Sequence, residues 1–256
     1  MTAIVGRAPL LFERNWMVYR RTWLVIFSGL FEPLFYLASM GVGLGHYVPD
    51  VDVEGVGLVS YASFIAPALL ASAAMNGAVY DSTNVFWKMK YAKVYDAMLA
   101  TPLGPTDVAV GEAGWALFRG LLYAAAFLVV AAALGLIHSV WALLALPAAL
   151  LIGFGFAGVG IAATTYMRSW QDFEFMGIVQ VPMFLFSATF YPLSVYPDAV
   201  QWVIRCTPLY NAIALMRGLM LGSVGWYQLV NVVYLAVMGV IGVRIAGRRV
   251  HSLLLK

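Results

Sequence analysis

Apolar residues run in long blocks along this chain, broken by short polar connections. A helix that crosses a hydrocarbon core of about 30 Å needs roughly 20 predominantly apolar residues. Six segments meet that requirement: residues 23–45, 58–80, 108–136, 141–167, 173–190 and 226–245. The fifth is interrupted by Gln180 and Pro182. The pattern predicts an all-α polytopic membrane protein, folded as a single transmembrane domain over residues 1–256. The first run exceeds the apolar core of a signal peptide, about 7–15 residues, and therefore reads as an uncleaved span. Gly153, Gly155, Gly158 and Gly160 in the fourth segment are candidates for a close helix-packing face, with lipid exposure as the alternative.

Three apolar stretches do not fit simple spans. In residues 9–21, Phe12, Trp16 and Tyr19 recur at helical spacing, while Arg14 and Arg20 supply charge. That pattern predicts an interfacial helix lying in the plane of the headgroups. An ordinary basic lead-in is the alternative. In residues 81–106, Trp87, Tyr91, Val94, Tyr95 and Met98 share one helix face, and Lys88, Lys93 and Asp96 mostly lie on the other. Thr101-Pro102 ends that helix, and Pro105-Thr106-Asp107 predicts a turn and cap for the next span. Such a face either inserts into the groove of a partner protein or lies flat on the membrane. Residues 191–225 are too apolar for a solvated loop, yet Pro192, Pro197 and Pro208 break them. Two short helices dipping into the outer leaflet are expected, because protein can cover the broken backbone. A seventh span is the rival reading.

Charge settles orientation. The composition is 63% hydrophobic and 11% charged, with a mean hydropathy of +0.87, which excludes a soluble globule and a disordered chain. Twelve of the 15 Lys and Arg residues fall in the N-terminal arm, the 81–106 connection, the Arg168 connection and the C-terminal end. The 46–57 connection instead carries Asp50, Asp52 and Glu54 with no basic residue. Basic connections stay cytoplasmic, so both termini are expected inside and the acidic loop outside. A seventh span would place the basic C-terminus outside. The dispersed basic residues also argue against a nucleic-acid partner.

Two charges fall inside spans. Glu32 lies about 13 Å from the start of the first, at a 1.5 Å rise per residue. Arg119 lies at similar depth in the third. Unpaired charge there is costly, so the two are expected either to pair or to flank a polar cavity. The alternative is that Arg119 snorkels to the interface. Pro33, next to Glu32, removes a helix hydrogen bond and predicts a kink. The chain has no Gly-Lys step and hence no phosphate loop of its own. His46, His138 and His251 are widely spaced, Cys206 is alone, and neither suggests a metal or catalytic site.

The order of arm, six spans, long connection after the second and broken segment before the last resembles an ABC-2 type exporter permease. Several strings resemble its NodJ-like, lipo-oligosaccharide branch more specifically. They are Phe31-Glu32-Pro33-Leu34-Phe35-Tyr36-Leu37, Gly41-Val42-Gly43-Leu44-Gly45, Tyr61-Ala62-Ser63-Phe64-Ile65-Ala66-Pro67 and Tyr95-Asp96-Ala97-Met98-Leu99-Ala100-Thr101-Pro102-Leu103, with the step from Gly111-Glu112 to Trp115. The resemblance implies that residues 81–101 are a coupling helix docking on a separate ATPase, which would bind the ATP and Mg. No cofactor is expected in this chain. It also implies a second permease copy or paralogue, a connecting role for the 9–21 helix and re-entrant helices over 191–221.

The function so implied is ATP-driven export of an amphiphile, such as a lipid-linked saccharide, across the cytoplasmic membrane. Phe31, Tyr36, Phe184, Phe186 and Tyr191 are candidates for the cargo path, each weighed against plain packing or lipid contact. Hydrophobic-antibiotic efflux by the same machine is the near alternative. An ion-coupled carrier and a non-transporting scaffold are the distant ones; the halves show no convincing repeat to support the former.

Overall fold

The computed structural model describes residues 8–21, 23–90, 105–167 and 169–254. Helix α1 spans Ala8–Arg21 and α2 spans Trp23–Tyr36. Beyond α2 the chain widens into a π-helical stretch, Leu37–Gly43, and a short 3-10 turn, Leu44–His46. Pro33 sits inside α2. The small residues after it allow the wider turn, and Gly41 lies against Ala62. The acidic connection then forms a hairpin that sequence periodicity had not suggested, β1 (Val51–Val53) paired antiparallel to β2 (Gly57–Val59). Val51 and Val53 turn inward while Asp52 and Glu54 stay exposed, the alternation expected of a half-buried strand. Gly55 and Gly57 supply the positive φ angles of its turn, +81° and +92°.

Helix α3, Tyr61–Lys90, is capped by the Ser60 hydroxyl, which accepts from the Ser63 amide at 3.2 Å. It runs without interruption past Asp81, so the expected second span and the start of the expected coupling segment form one rod. Helix α4 covers Pro105–Ala133. The turn and cap expected at Pro105-Thr106-Asp107 is instead the first turn of α4, because proline's fixed φ and missing N–H suit the first helical position. A 3-10 turn, Val140–Leu144, leads into α5, Ala145–Thr164. Another, Trp170–Phe173, leads into α6, Glu174–Phe186. Residues 191–225 contain two short helices, α7 (Asp198–Arg205) and α8 (Pro208–Leu221), and the last described helix is α9, Trp226–Leu254.

Among the described residues, four stretches are long and apolar enough to cross a membrane: Tyr61–Ser82, Ala113–Ala133, Val140–Thr164 and Trp226–Arg248. The other two expected spans are helical but broken. One changes winding after Tyr36, and the other has only 13 α-helical residues around Pro182.

The core lies where α3, α5, α8 and α9 meet. Helix α8 is surrounded by protein, with Leu209, Ala212, Ile213, Leu215, Met216 and Met220 buried. Thr207 caps it by accepting from the Tyr210 amide at 3.3 Å, and Gly222 closes it at φ +99°. Against α9, helix α5 approaches backbone to backbone. A Cβ on Gly158 would overlap the Gly239 carbonyl, and one on Gly242 would overlap the Gly158 carbonyl. Gly155 and Gly160 are also tightly enclosed, but a Cβ on Gly153 would meet open space. Gly153 therefore leaves the expected packing face.

Candidate functional site

A cavity of about 300 Å³ opens between α2, α3, α4 and α6. The one-turn spacing of Gly29, Glu32, Pro33 and Tyr36 along α2 aims them at one side. Helix α3 presents Ser72, Asn76 and Tyr80 at the same i, i+4 interval, α4 contributes Arg119 and Tyr123, and α6 contributes Phe184. Glu32 and Arg119 thus both line this cavity. Arg119 forms an ion pair with Asp81, and both side chains are largely buried. Glu32 accepts from the Asn76 amide at 3.4 Å, and Asn76 in turn accepts from the Gln180 amide at 2.5 Å. A polar chain therefore crosses α2, α3 and α6 inside an apolar frame.

Aromatic rings complete the walls. Tyr36 and Phe184 meet edge to face at 5.8 Å, and Phe184 meets Phe190 in the same way at 5.3 Å. Of the five residues considered for a cargo path, Tyr36 and Phe184 line the cavity. Phe31 is exposed and stacks on Phe35 at 5.7 Å. Phe186 and Tyr191 are exposed, and Phe186 lies 6.5 Å from Tyr196. Burial, with a smaller contribution from Tyr191, raises the Tyr196 hydroxyl above its ordinary range.

The arm packs on the protein as well as facing outward. Phe12 meets Trp115 and Phe118 of α4 at 5.2 Å each, and Trp16 meets Phe118 at 6.3 Å. Trp16, Met17 and Val18 are about half exposed, and Arg14 and Arg20 are exposed. The backbone at Tyr19 is helical. On α3, Trp87 is exposed beyond the apolar stretch, and Lys88 follows it on the helix. Tyr91, Lys93, Val94, Tyr95, Asp96 and Met98 lie outside the described residues.

Sequence reasoning missed three participants. Asp81 read as the start of a connection, and Asn76 as an unremarked polar residue in a span; only tertiary packing brings them to Arg119 and Glu32. The third is Arg217, in the proline-broken segment before the last helix. It reaches, partly buried, into the core, donating to the carbonyls of Ala188 at 3.0 Å and Phe64 at 3.4 Å, with its guanidinium 3.9 Å from the centre of the Phe64 ring. Ala188 has a φ of +57°, rare for a residue with a Cβ, and residues 187–190 are all buried. Arg217 thus satisfies a carbonyl in a non-helical turn where water cannot.

Residues 9–221 match the family model for ABC-2 type transporters, from α1 through the end of α8. That range includes every residue lining the cavity. The chain belongs to the ABC-2 type transporter family. Among its relatives is Nodulation protein J of Rhizobium leguminosarum bv. trifolii, 36% identical over 213 residues, covering 82% of this chain and 79% of the relative. Nodulation protein J of the bv. viciae form is 34% identical, covering 82% and 81%. That of Rhizobium meliloti (strain 1021) is 33% identical, covering 82% and 80%. This ABC-2 type chain is accordingly a membrane permease of a transport system. Its cavity offers hydroxyls, an amide, a carboxylate, a guanidinium and ring faces.

Proposed function

We propose that this permease is the membrane subunit of an exporter for an amphiphile with a saccharide headgroup, a lipid-linked saccharide or lipo-oligosaccharide. The observation that carries the reading is the cavity, which pairs tyrosine and phenylalanine rings with amide and carboxylate acceptors at the depth of apolar helices. Sugars present apolar ring faces and a rim of hydroxyls, which such a mixture matches. Similarity to Nodulation protein J proteins supports export as the direction.

In this reading six helical segments span the cytoplasmic membrane with both termini inside, and α2 and α6 are its two broken spans. Two copies, or this chain and a paralogue, work with a separate ATPase. The α3 extension bearing Trp87 and Lys88 docks on that ATPase, together with Tyr91, Lys93, Val94, Tyr95, Asp96 and Met98 of the coupling segment expected from the sequence. Helix α1 rests on the inner surface through Trp16 and its arginines, while Phe12 packs on α4. ATP and Mg bind to the partner. ATP-driven motion of α3 changes the relative affinity of the inward and outward states for cargo, as any coupled shift requires.

Coexpression with an ABC-type ATPase from the same genome tests the assignment. Copurification, and ATP-dependent movement of a lipid-linked saccharide into inverted membrane vesicles, are the expected results. Trp87→Ala combined with Tyr95→Ala abolishes copurification while the permease still reaches the membrane. Movement of a hydrophobic antibiotic instead of the saccharide would replace the cargo and keep the machine. Movement down an ion gradient without any ATPase would overturn the assignment.

A further inference from the structure

One carboxylate, Glu32, and one guanidinium, Arg119, line this cavity, and their contacts divide them unequally. Arg119 lies against Asp81, so its charge is balanced inside the protein. Glu32 accepts a hydrogen bond from Asn76 at 3.4 Å, the long end of the useful range. Asn76 is held in that orientation because its oxygen accepts from Gln180 at 2.5 Å. An ionised carboxylate offers about four acceptor positions, so Glu32 keeps capacity for donors that enter beside it. The adjoining wall is closely fitted, since a Cβ on Gly29 would press on the Tyr123 ring.

We propose that Glu32 is the charge filter of the cavity. It accepts hydrogen bonds from headgroups bearing hydroxyl, amide or ammonium groups, and it turns away headgroups bearing carboxylate, sulfate or phosphate. This inference rests on the amphiphile-export reading above. The physical reason is Coulombic: repulsion between like charges grows as the local dielectric falls, and Asp81 already occupies Arg119, the guanidinium that lines the cavity. Like-charge juxtaposition acts mainly against the wrong ligand, as in other selective sites.

The test uses the full-length chain in phosphatidylcholine nanodiscs, with the thermal-unfolding midpoint followed against ligand concentration. Three probes share one alkyl chain and one ring: octyl glucoside is neutral, octyl glucuronide anionic and octyl 2-amino-2-deoxyglucoside cationic. For the wild type, the glucuronide is expected to bind at least ~10-fold more weakly than the glucoside, and the amino sugar at least as tightly. Glu32→Gln, nearly isosteric, should narrow the first gap to under ~3-fold. Asp81→Asn provides a second variant that leaves Glu32 in place. Freeing Arg119 to offset Glu32 should also raise glucuronide binding relative to glucoside. An unchanged ratio in both variants overturns the filter. Wild-type binding of all three probes with equal affinity overturns the filter and leaves the saccharide reading standing. Absence of any saturable shift with the glucoside overturns both.

Discussion

Two halves of this membrane domain are built by opposite rules. Where α3, α5, α8 and α9 meet, glycines bring backbones into contact, and α8 is enclosed on most of its surface. Where α2 and α6 meet the cavity, prolines interrupt both helices and no residue of α6 is buried. Its side chains Phe175, Ile178, Val179 and Val181 are exposed instead. Lipid tails are as apolar as leucine, so helix association in a membrane depends on close van der Waals fit and on interhelical hydrogen bonds. The first half uses fit. The second has a short polar chain, Glu32–Asn76–Gln180, and a few aromatic contacts. One half is suited to holding shape and the other to changing it.

Substitution at the glycine seam gives the largest expected effect. Gly242→Leu would drive a side chain into the backbone of α5 at Gly158 and Val159, where no flexible side chain can yield. Overpacking of this kind costs about 1–3 kcal/mol in an adaptable core and more against backbone, so the variant should fail to accumulate as a monodisperse protein in detergent. Gly177→Leu in α6 meets open space and should cost under about 0.5 kcal/mol. Equal effects at the two sites would dissolve the contrast between the halves.

Arg217 stands at the boundary between them. Arg217→Met leaves the buried Ala188 carbonyl without its donor, at a cost of about 1–3 kcal/mol. Faster amide exchange confined to residues 187–190 and their neighbours should accompany the lower melting temperature. Arg205, exposed over the Trp202 ring at 5.6 Å, provides the control: Arg205→Met should change neither quantity.

The ion pair of α3 and α4 follows in size. Reversing Asp81 or Arg119 alone places like charges together and should lower stability by about 2 kcal/mol. The double variant Asp81→Arg with Arg119→Asp should recover most of it. Failure of the double reversal to exceed either single one would mean that the surroundings, rather than the pair, fix these residues. The restoring partner is Asp81, although sequence depth alone pointed to Glu32.

That change of partner shows what a sequence encodes locally and what it does not. Apolar length marked the long rods α3, α4, α5 and α9, because twenty apolar residues have few other places to go. Proline spacing marked α7 and α8 as short helices. The hairpin escaped because its three-residue strands, Val51–Val53 and Gly57–Val59, are too brief for a periodic signal, although their glycines and alternating acids carry one in hindsight. Asp81 escaped because a helix was expected to end there, whereas α3 continues to Lys90. Arg217 escaped because the segment around it looked peripheral, whereas α8 folds into the core. Long-range pairing and the burial of a short helix depend on packing between distant segments, which no local pattern records.

The smallest expected effect tests the looser half most directly. The Gln180 amide reaches Asn76 from a helix with no buried residue, so this bond is a principal tie between α6 and α3. Hydrogen bonds between membrane helices contribute about 0.6 kcal/mol on average, and Gln180→Leu should shift the global melting transition by no more than that. Its consequence for motion should be larger than its consequence for stability. Cysteines introduced on α6 and α3 should crosslink over a broader set of positions in Gln180→Leu than in the wild type, because the aromatic contact of Phe184 with Tyr36 remains but the polar register is lost. A global loss of several kcal/mol would show that α6 belongs to the rigid half. A broadened crosslinking pattern on an intact fold would instead identify α6 as the wall of the cavity that moves.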